Sequence, residues 1–179
     1  MTADSDSRAP GAHEQTDGLI SYRREISTKA LAADVFRVLS NLGGKTGWLY
    51  ANLLWKLRGY LDESIGGVGL RRGRRVSEEL RVGDPLDFWR VEALVPDQLL
   101  RLRAEMKVPG KAWLQFEIIP QSESEVRIIQ TAFYEPKGLM GLLYWYVLYP
   151  IHRVIFQGMI TAIAHKAESL SITREKTPA

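Results

Sequence analysis

The sequence predicts an α+β fold in which a curved antiparallel sheet wraps around a long C-terminal helix. Three observations carry this expectation. Between residues 83 and 135, apolar and polar side chains alternate in runs of strand length. Turn signals interrupt them at Gly83-Asp84-Pro85, Pro96-Asp97, Pro109-Gly110 and residues 120–124. After Pro150 the period becomes helical. Arg153, Gln157, Thr161, His165 and Glu168 share one stripe, while Ile151, Ile155, Met159, Ala162, Ile163 and Leu170 share the opposite one. Finally, the alternating runs gather their apolar residues on one face, and a one-sided greasy sheet needs a cover. The closing helix and the aromatic segment 47–61 are the only stretches adequate to supply it.

Taken in order, residues 1–18 are small and polar, without the apolar core of a secretory signal, and are expected to be disordered. "ISYRREIST" alternates as a strand. "AADVFRVLSNL" reads as a short helix stopped by Gly43-Gly44. "GWLYANLLWKLRGYLDE" reads as at least partly helical, again stopped by glycines. The strand runs follow, then the closing helix, and residues 172–179 form a frayed tail. A single folded domain is therefore expected over residues 19–171, a length that buries a sizeable core without staples.

The turns set a register. A two-residue turn at Pro96-Asp97 places Glu92 opposite Arg101 and Val91 opposite Leu102. A bulge at Gly110 and a loop at 120–124 then place Arg101 opposite Glu117 and Glu117 opposite Arg127. The result is a ladder of alternating charge on the outer face, as cross-strand pairing favours. The inner face collects Trp89, Val91, Leu100, Leu102, Met106, Leu114, Phe116, Ile128 and their neighbours.

The chain has 179 residues, a net charge of +3 and no cysteine. This excludes disulfides, thiolate metal sites and a cysteine nucleophile, and fits a cytoplasmic setting. The charge is too small to argue for nucleic acid. His13, His152 and His165 have no ligand spacing, so no metal site is expected. "GGKTG" at 43–47 follows a helix rather than a strand and reads as a helix stop, not a phosphate loop. No GxSxG occurs. In "GLLYWYVLYPIHRVIFQGM", residues 141–159, the aromatic run is shorter than the ~20 apolar residues of a membrane span. A transmembrane segment is not expected there, though peripheral contact through the aromatics is compatible with it.

The strings "GGKTGWLYANLLWKLRGYLDESIGGVGLRRGRR", "LRVGDPLDFWRVEAL", "LRLRAEMKVPGKAWLQFEI" and "GLLYWYVLYPIHRVIFQGMI" resemble a bacterial family of unknown function. That family lies within the START-like (SRPBCC, polyketide-cyclase-like) helix-grip superfamily, and the resemblance covers about residues 20–167. Such domains are often fused behind NAD(P)-binding epimerase-like or short-chain-reductase domains. This chain carries no GxGxxG and no dinucleotide-binding half, so redox activity would need a separate oxidoreductase partner. The resemblance implies a helix-grip fold and a cavity between sheet and helix that holds an apolar or aromatic small molecule; no cofactor is expected.

Expected cavity residues are Trp48, Trp55, Trp89, Met106, Phe116, Gln130, Tyr144, Tyr146, His152 and Met159. Aromatic walls with a few polar groups are typical of such sites. Polar residues on the apolar side mark the ligand's polar end, since burying them alone is costly. Gln130 falls between Ile128 and Ala132, His152 on the inward helical stripe, and Asp87 beside Trp89, facing Arg81 across the turn. His152 and Asp87 are the candidate acid and base should the domain act as a cyclase or dehydratase. Arg71, Arg72, Arg74 and Arg75, among glycines, form a candidate anion-binding loop. The expected function is non-catalytic binding of a hydrophobic or aromatic molecule. An accessory role beside a reductase and a cyclase-type activity are the alternatives.

Overall fold

The computed structural model describes residues 13–16, 18–43, 47–50, 60, 63–64, 66 and 80–176. Trp55, the arginine loop (Arg71, Arg72, Arg74, Arg75) and most of the helix expected at 47–61 lie outside the described residues.

Strands β1 (His13–Thr16) and β2 (Leu19–Thr28) lead into helix α1 (Ala32–Ser40). Five further strands follow: β3 (Pro85–Leu86), β4 (Trp89–Val95), β5 (Leu99–Ala104), β6 (Gly110–Pro120) and β7 (Val126–Pro136). Helix α2 (Gly138–Lys176) closes the chain. All pairings are antiparallel, and the strands lie in the order β1-β2-β7-β6-β5-β4-β3. β1 lies inside the stretch expected to be disordered. Gly18, at φ 81°, reverses the chain so that residues 13–16 pair with β2. At the other end α2 runs on to Lys176, beyond the expected boundary at 171. Arg174 in its last turns donates to the buried Asp34 carboxylate of α1 at 2.5 Å.

The faces of the sheet fall as the alternation predicts. Leu100, Leu102, Leu114, Phe116 and Ile128 are fully buried in the core. The register is partly different. Val91 does face Leu102, but Glu92 is the extra residue of a bulge, and Pro96-Asp97-Gln98 form a three-residue turn with Asp97 at φ 60°. Arg101 faces Gln115 rather than Glu117, and Glu117 faces Leu99 and Ile129 rather than Arg127. Both errors are of two residues, because the 105–109 and 121–125 connections are each displaced from where the turn signals placed them. A shift of two preserves the pleat, so the apolar set stays inside while the four-strand charge ladder does not form. Glu92 and Arg101 remain an ion pair at 3.0 Å.

α2 is held at both ends. At its start the Pro109 carbonyl accepts from the Lys137 amide at 2.9 Å and the Tyr134 hydroxyl at 2.8 Å. Gly141 packs so close to that carbonyl that a Cβ could not be accommodated. At its far end Glu168 accepts from the Thr28 hydroxyl at 2.8 Å and the Lys29 amide at 3.3 Å. Ser171 donates to Asp34 at 2.7 Å. Between these clamps Ile155, Phe156, Met159, Ile160 and Ile163 enter the core.

The helix is long and apolar enough to cross a membrane by length and composition. Its inward face and its terminal polar bonds are nevertheless committed to the sheet. Ile151, expected inward, is exposed, because the aromatic stretch and the amphipathic stretch are one continuous helix through Pro150 whose facing is set by Trp145, Phe156 and Met159.

Candidate ligand-binding site

The concave face of the sheet brings together two clusters of rings. In the first, Trp48, Phe88 and Trp89 lie with ring centroids 5.8–6.2 Å apart. Asp87 belongs here. It is not a strand residue beside Trp89, as the alternation suggested. It occupies the tight turn between β3 and β4, where Leu86 pairs with Trp89, and adopts φ 54°. Its buried carboxylate accepts from Trp48 Nε1 at 2.9 Å. The expected partner Arg81 instead donates its backbone amide across the Gly83 bend to Asp84 at 2.9 Å.

The second cluster lies under the first half of α2. Tyr134 of β7 stacks on Trp145 at 5.4 Å. His152 lies between Trp145 and Phe156, 5.6 and 5.4 Å from their centroids. Tyr22 of β2 meets Tyr149 edge-on at 5.7 Å and Phe156 at 6.0 Å. Helical spacing explains the set, since 145, 149, 152, 156 and 159 fall on one face. Burial raises the Tyr134 hydroxyl to about 12, and it donates to the Pro109 carbonyl.

Gln130 rises from β7 on the same concave face, opposite Arg24 of β2 and Phe116 of β6. It is 1% exposed, and neither its amide oxygen nor its amide nitrogen has a hydrogen-bond partner among the described residues. Trp89 Nε1 is buried in the same condition. Dry amides and indoles are uncommon in packed interiors, because each forgone bond carries a desolvation penalty.

Of the other expected residues, Phe116 and Met159 are fully buried, and Met106 and Tyr144 pack partly buried against the core. Tyr146 does not join them. It is 53% exposed, because one residue past Trp145 turns about a quarter of the helix away from the sheet. Tyr22, Phe88 and Tyr134 were missed. Tyr22 and Tyr134 continue the inward alternations Ile20–Tyr22 and Ile128–Gln130–Ala132–Tyr134, so the signal was present. Phe88 sits in a turn and gave none.

Two clefts open beside α2. One, of about 540 Å³, is lined by Arg24, Tyr50, Arg153, Val154, Gln157, Gly158, Thr161, Ala162 and His165. The other, of about 470 Å³, lies between the α1 entry and the end of α2, around Lys29, Leu31, Glu168 and Arg174. None of the expected cavity residues that the structure describes lines either. No group of three or more potential metal ligands occurs among the described residues.

A family model described as a protein of unknown function, DUF2867, matches residues 21–159. The chain belongs to the DUF2867 family. Its fold is the START-like helix grip of known structures, at identities that carry the architecture alone. Norcoclaurine synthase from Thalictrum flavum matches with a TM-score of 0.51 and 14% identity, over 90% of this chain and 99% of that one. The ZhuI aromatase/cyclase from Streptomyces sp. R1128 matches with a TM-score of 0.50 and 12% identity, over 84% and 94%. The di-domain aromatase/cyclase BexL of the BE-7585A biosynthetic pathway matches with a TM-score of 0.51 and 16% identity, over 83% of this chain and 46% of that one. Among curated proteins no sequence matches this DUF2867 chain.

Proposed function

We propose that this DUF2867 domain binds an uncharged aromatic or hydrophobic small molecule between the sheet and α2, and that Gln130 reads a polar group on it. The single observation behind the reading is the Gln130 amide, which is buried between Phe116 and Arg24 with neither donor nor acceptor bonded among the described residues. A ligand carbonyl, hydroxyl or N–H would satisfy it. Such a group discriminates well, since an apolar analogue would leave the amide dry. The rings of Tyr22, Tyr134, Trp145 and Phe156 supply apolar walls that tolerate aromatic ligands in offset or edge contacts.

The test is titration with phenylnaphthylamine, an uncharged aromatic probe with one N–H, followed by its fluorescence. Wild type should bind it, and Gln130→Met should bind about two- to tenfold more weakly, the range of one lost hydrogen bond. Equal or tighter binding by Gln130→Met would remove Gln130 from the site.

A cyclase- or dehydratase-type reaction is the second reading, favoured by Asp87, a buried carboxylate held at positive φ. It requires Asp87 and His152 to serve one ligand, although they belong to different ring clusters. Turnover that survives the double change His152→Ala and Asp87→Asn would dismiss it.

A further inference from the structure

The outward side of α2 breaks the usual rule for a surface helix. Leu139 (80% exposed), Met140, Leu143, Val147 (63%), Ile151 and Val154 all face solvent. Their spacing of three and four places them on one stripe, about 23 Å long at the helical rise. Tyr146 and Pro150 lie on the same side. A contiguous exposed apolar stripe of this kind marks a contact surface rather than a scatter of single residues.

Two further observations say what meets it. The first is charge. No Asp or Glu occurs from residue 136 to residue 167, whereas Lys137 and Arg153 are exposed at either end of the stripe. The second is the larger cleft, which begins where the stripe ends. Val154 belongs to both, and Arg153, at the end of the stripe, lines the cleft. Arg24 enters the cleft from β2, oriented by a 2.6 Å bond from its Nε to the Tyr22 hydroxyl. Gln157, Thr161 and His165 add polar groups, and no carboxylate is among the described lining residues. Glu168, 3.6 Å from His165, is already bonded to Thr28 and Lys29.

We infer that the outer face of α2 docks on an anionic lipid bilayer, the apolar stripe entering the headgroup–acyl boundary while Arg153 and Arg24 take a lipid phosphate in the adjoining cleft. An apolar stripe flanked by basic residues and tyrosines, without acids, matches an interfacial helix. A twofold pairing of copies through this face would instead bring like charges together. A span is excluded by the opposite face, where Trp145, Phe156 and Met159 are buried against the sheet. The inference is independent of the small-molecule reading, and Gln130→Met should leave it unchanged.

The test is co-sedimentation of the full chain with vesicles. Binding is expected to equimolar phosphatidylcholine and phosphatidylglycerol, but not to phosphatidylcholine alone, and should weaken with salt. Arg153→Gln should weaken it about fivefold, the contribution of one basic residue at an anionic surface. The double change Leu143→Gln and Val147→Gln should abolish it without lowering Tm, because both positions are exposed and glutamine is a good helix former. Failure to sediment with the anionic vesicles, or equal sedimentation with both kinds, would overturn the inference. So would a wild-type dimer made monomeric by the double change, which would assign the stripe to a second copy. A fall in Tm for the double variant would assign it to another part of this chain, with the same consequence.

Discussion

Replacing Gln130 by methionine should stabilise the ligand-free protein, the reverse of what most core substitutions do. Methionine matches the length of the glutamine side chain and fills irregular space without a polar atom. The amide is 1% exposed and neither end is bonded among the described residues, so folding removes it from water without a replacement bond there. Mutational estimates of that penalty run to about 1–3 kcal/mol for an amide-sized group. One kcal/mol shifts Tm by about 2–4 °C in a domain of this size, so the expected rise is about 2–12 °C.

The assay is differential scanning calorimetry on protein shown by native mass spectrometry to carry no apolar adduct. Adding phenylnaphthylamine should reverse the order of the pair. Wild type gains stability with ligand concentration in proportion to its tighter binding, and Gln130→Met gains less. A variant that melts at or below the wild-type temperature without ligand would refute the reasoning, because it would mean the amide is already satisfied in the folded protein.

Other expectations follow from the clamps on α2. Arg174→Met removes a charged donor from the buried Asp34 carboxylate and should destabilise by about 1.5–3 kcal/mol in urea unfolding. Glu168 is held below its ordinary value of 4.5, first by the Thr28 hydroxyl, then by the Lys29 amide and His165. A lowered carboxylate contributes stability above its unfolded pKa and loses it as pH falls through the folded one. The Tm advantage of wild type over Glu168→Gln should therefore be full above pH 4.5 and shrink as the solution is acidified below it. Gly158 lies against the Tyr50 ring with no room for a Cβ. Gly158→Ala must displace that ring; overpacking, offset by about 1 kcal/mol of helix propensity, should leave a net loss of at most about 2 kcal/mol, which Tyr50→Ala should remove.

The fold was legible because its determinants are periodic. Alternation assigned Leu102 and Phe116 to the inside and Arg101 and Glu117 to the outside, and these assignments survive a register error of two residues. What alternation does not encode is loop length. Asp97 at φ 60° and the bulge at Glu92 add residues that no apolar pattern marks, so the pairing of Arg101 with Ala93 rather than Glu92 could not be derived. The site was less legible. Gln130 was marked by one polar residue among inward apolar ones, a strong local signal. Asp87 was misassigned because a two-residue turn looks like strand when its neighbours are Leu86 and Trp89. Tyr146 and Ile151 were misplaced for a different reason. A helix apolar on nearly every side gives no indication of which side the sheet takes, and only the packing of Trp145, Phe156 and Met159 decides it.

Gln130 and the outer stripe of α2 are the same departure from stability seen from opposite sides. A sequence shaped for folding alone would exchange them, with an apolar residue at 130 and polar ones at 143, 147 and 151. Apolar residues on a solvated face add almost nothing to folding, and a dry amide in a core subtracts from it. Each departure therefore calls for a gain made outside the folded chain. For Gln130 the complement is a hydrogen-bonding group small enough to fit among rings. For Leu143 and Val147 it is an extended apolar medium with negative charge nearby. The two complements differ in size and sign, so one ligand cannot serve both, and the Gln130 and Val147 variants should each fail in one assay only.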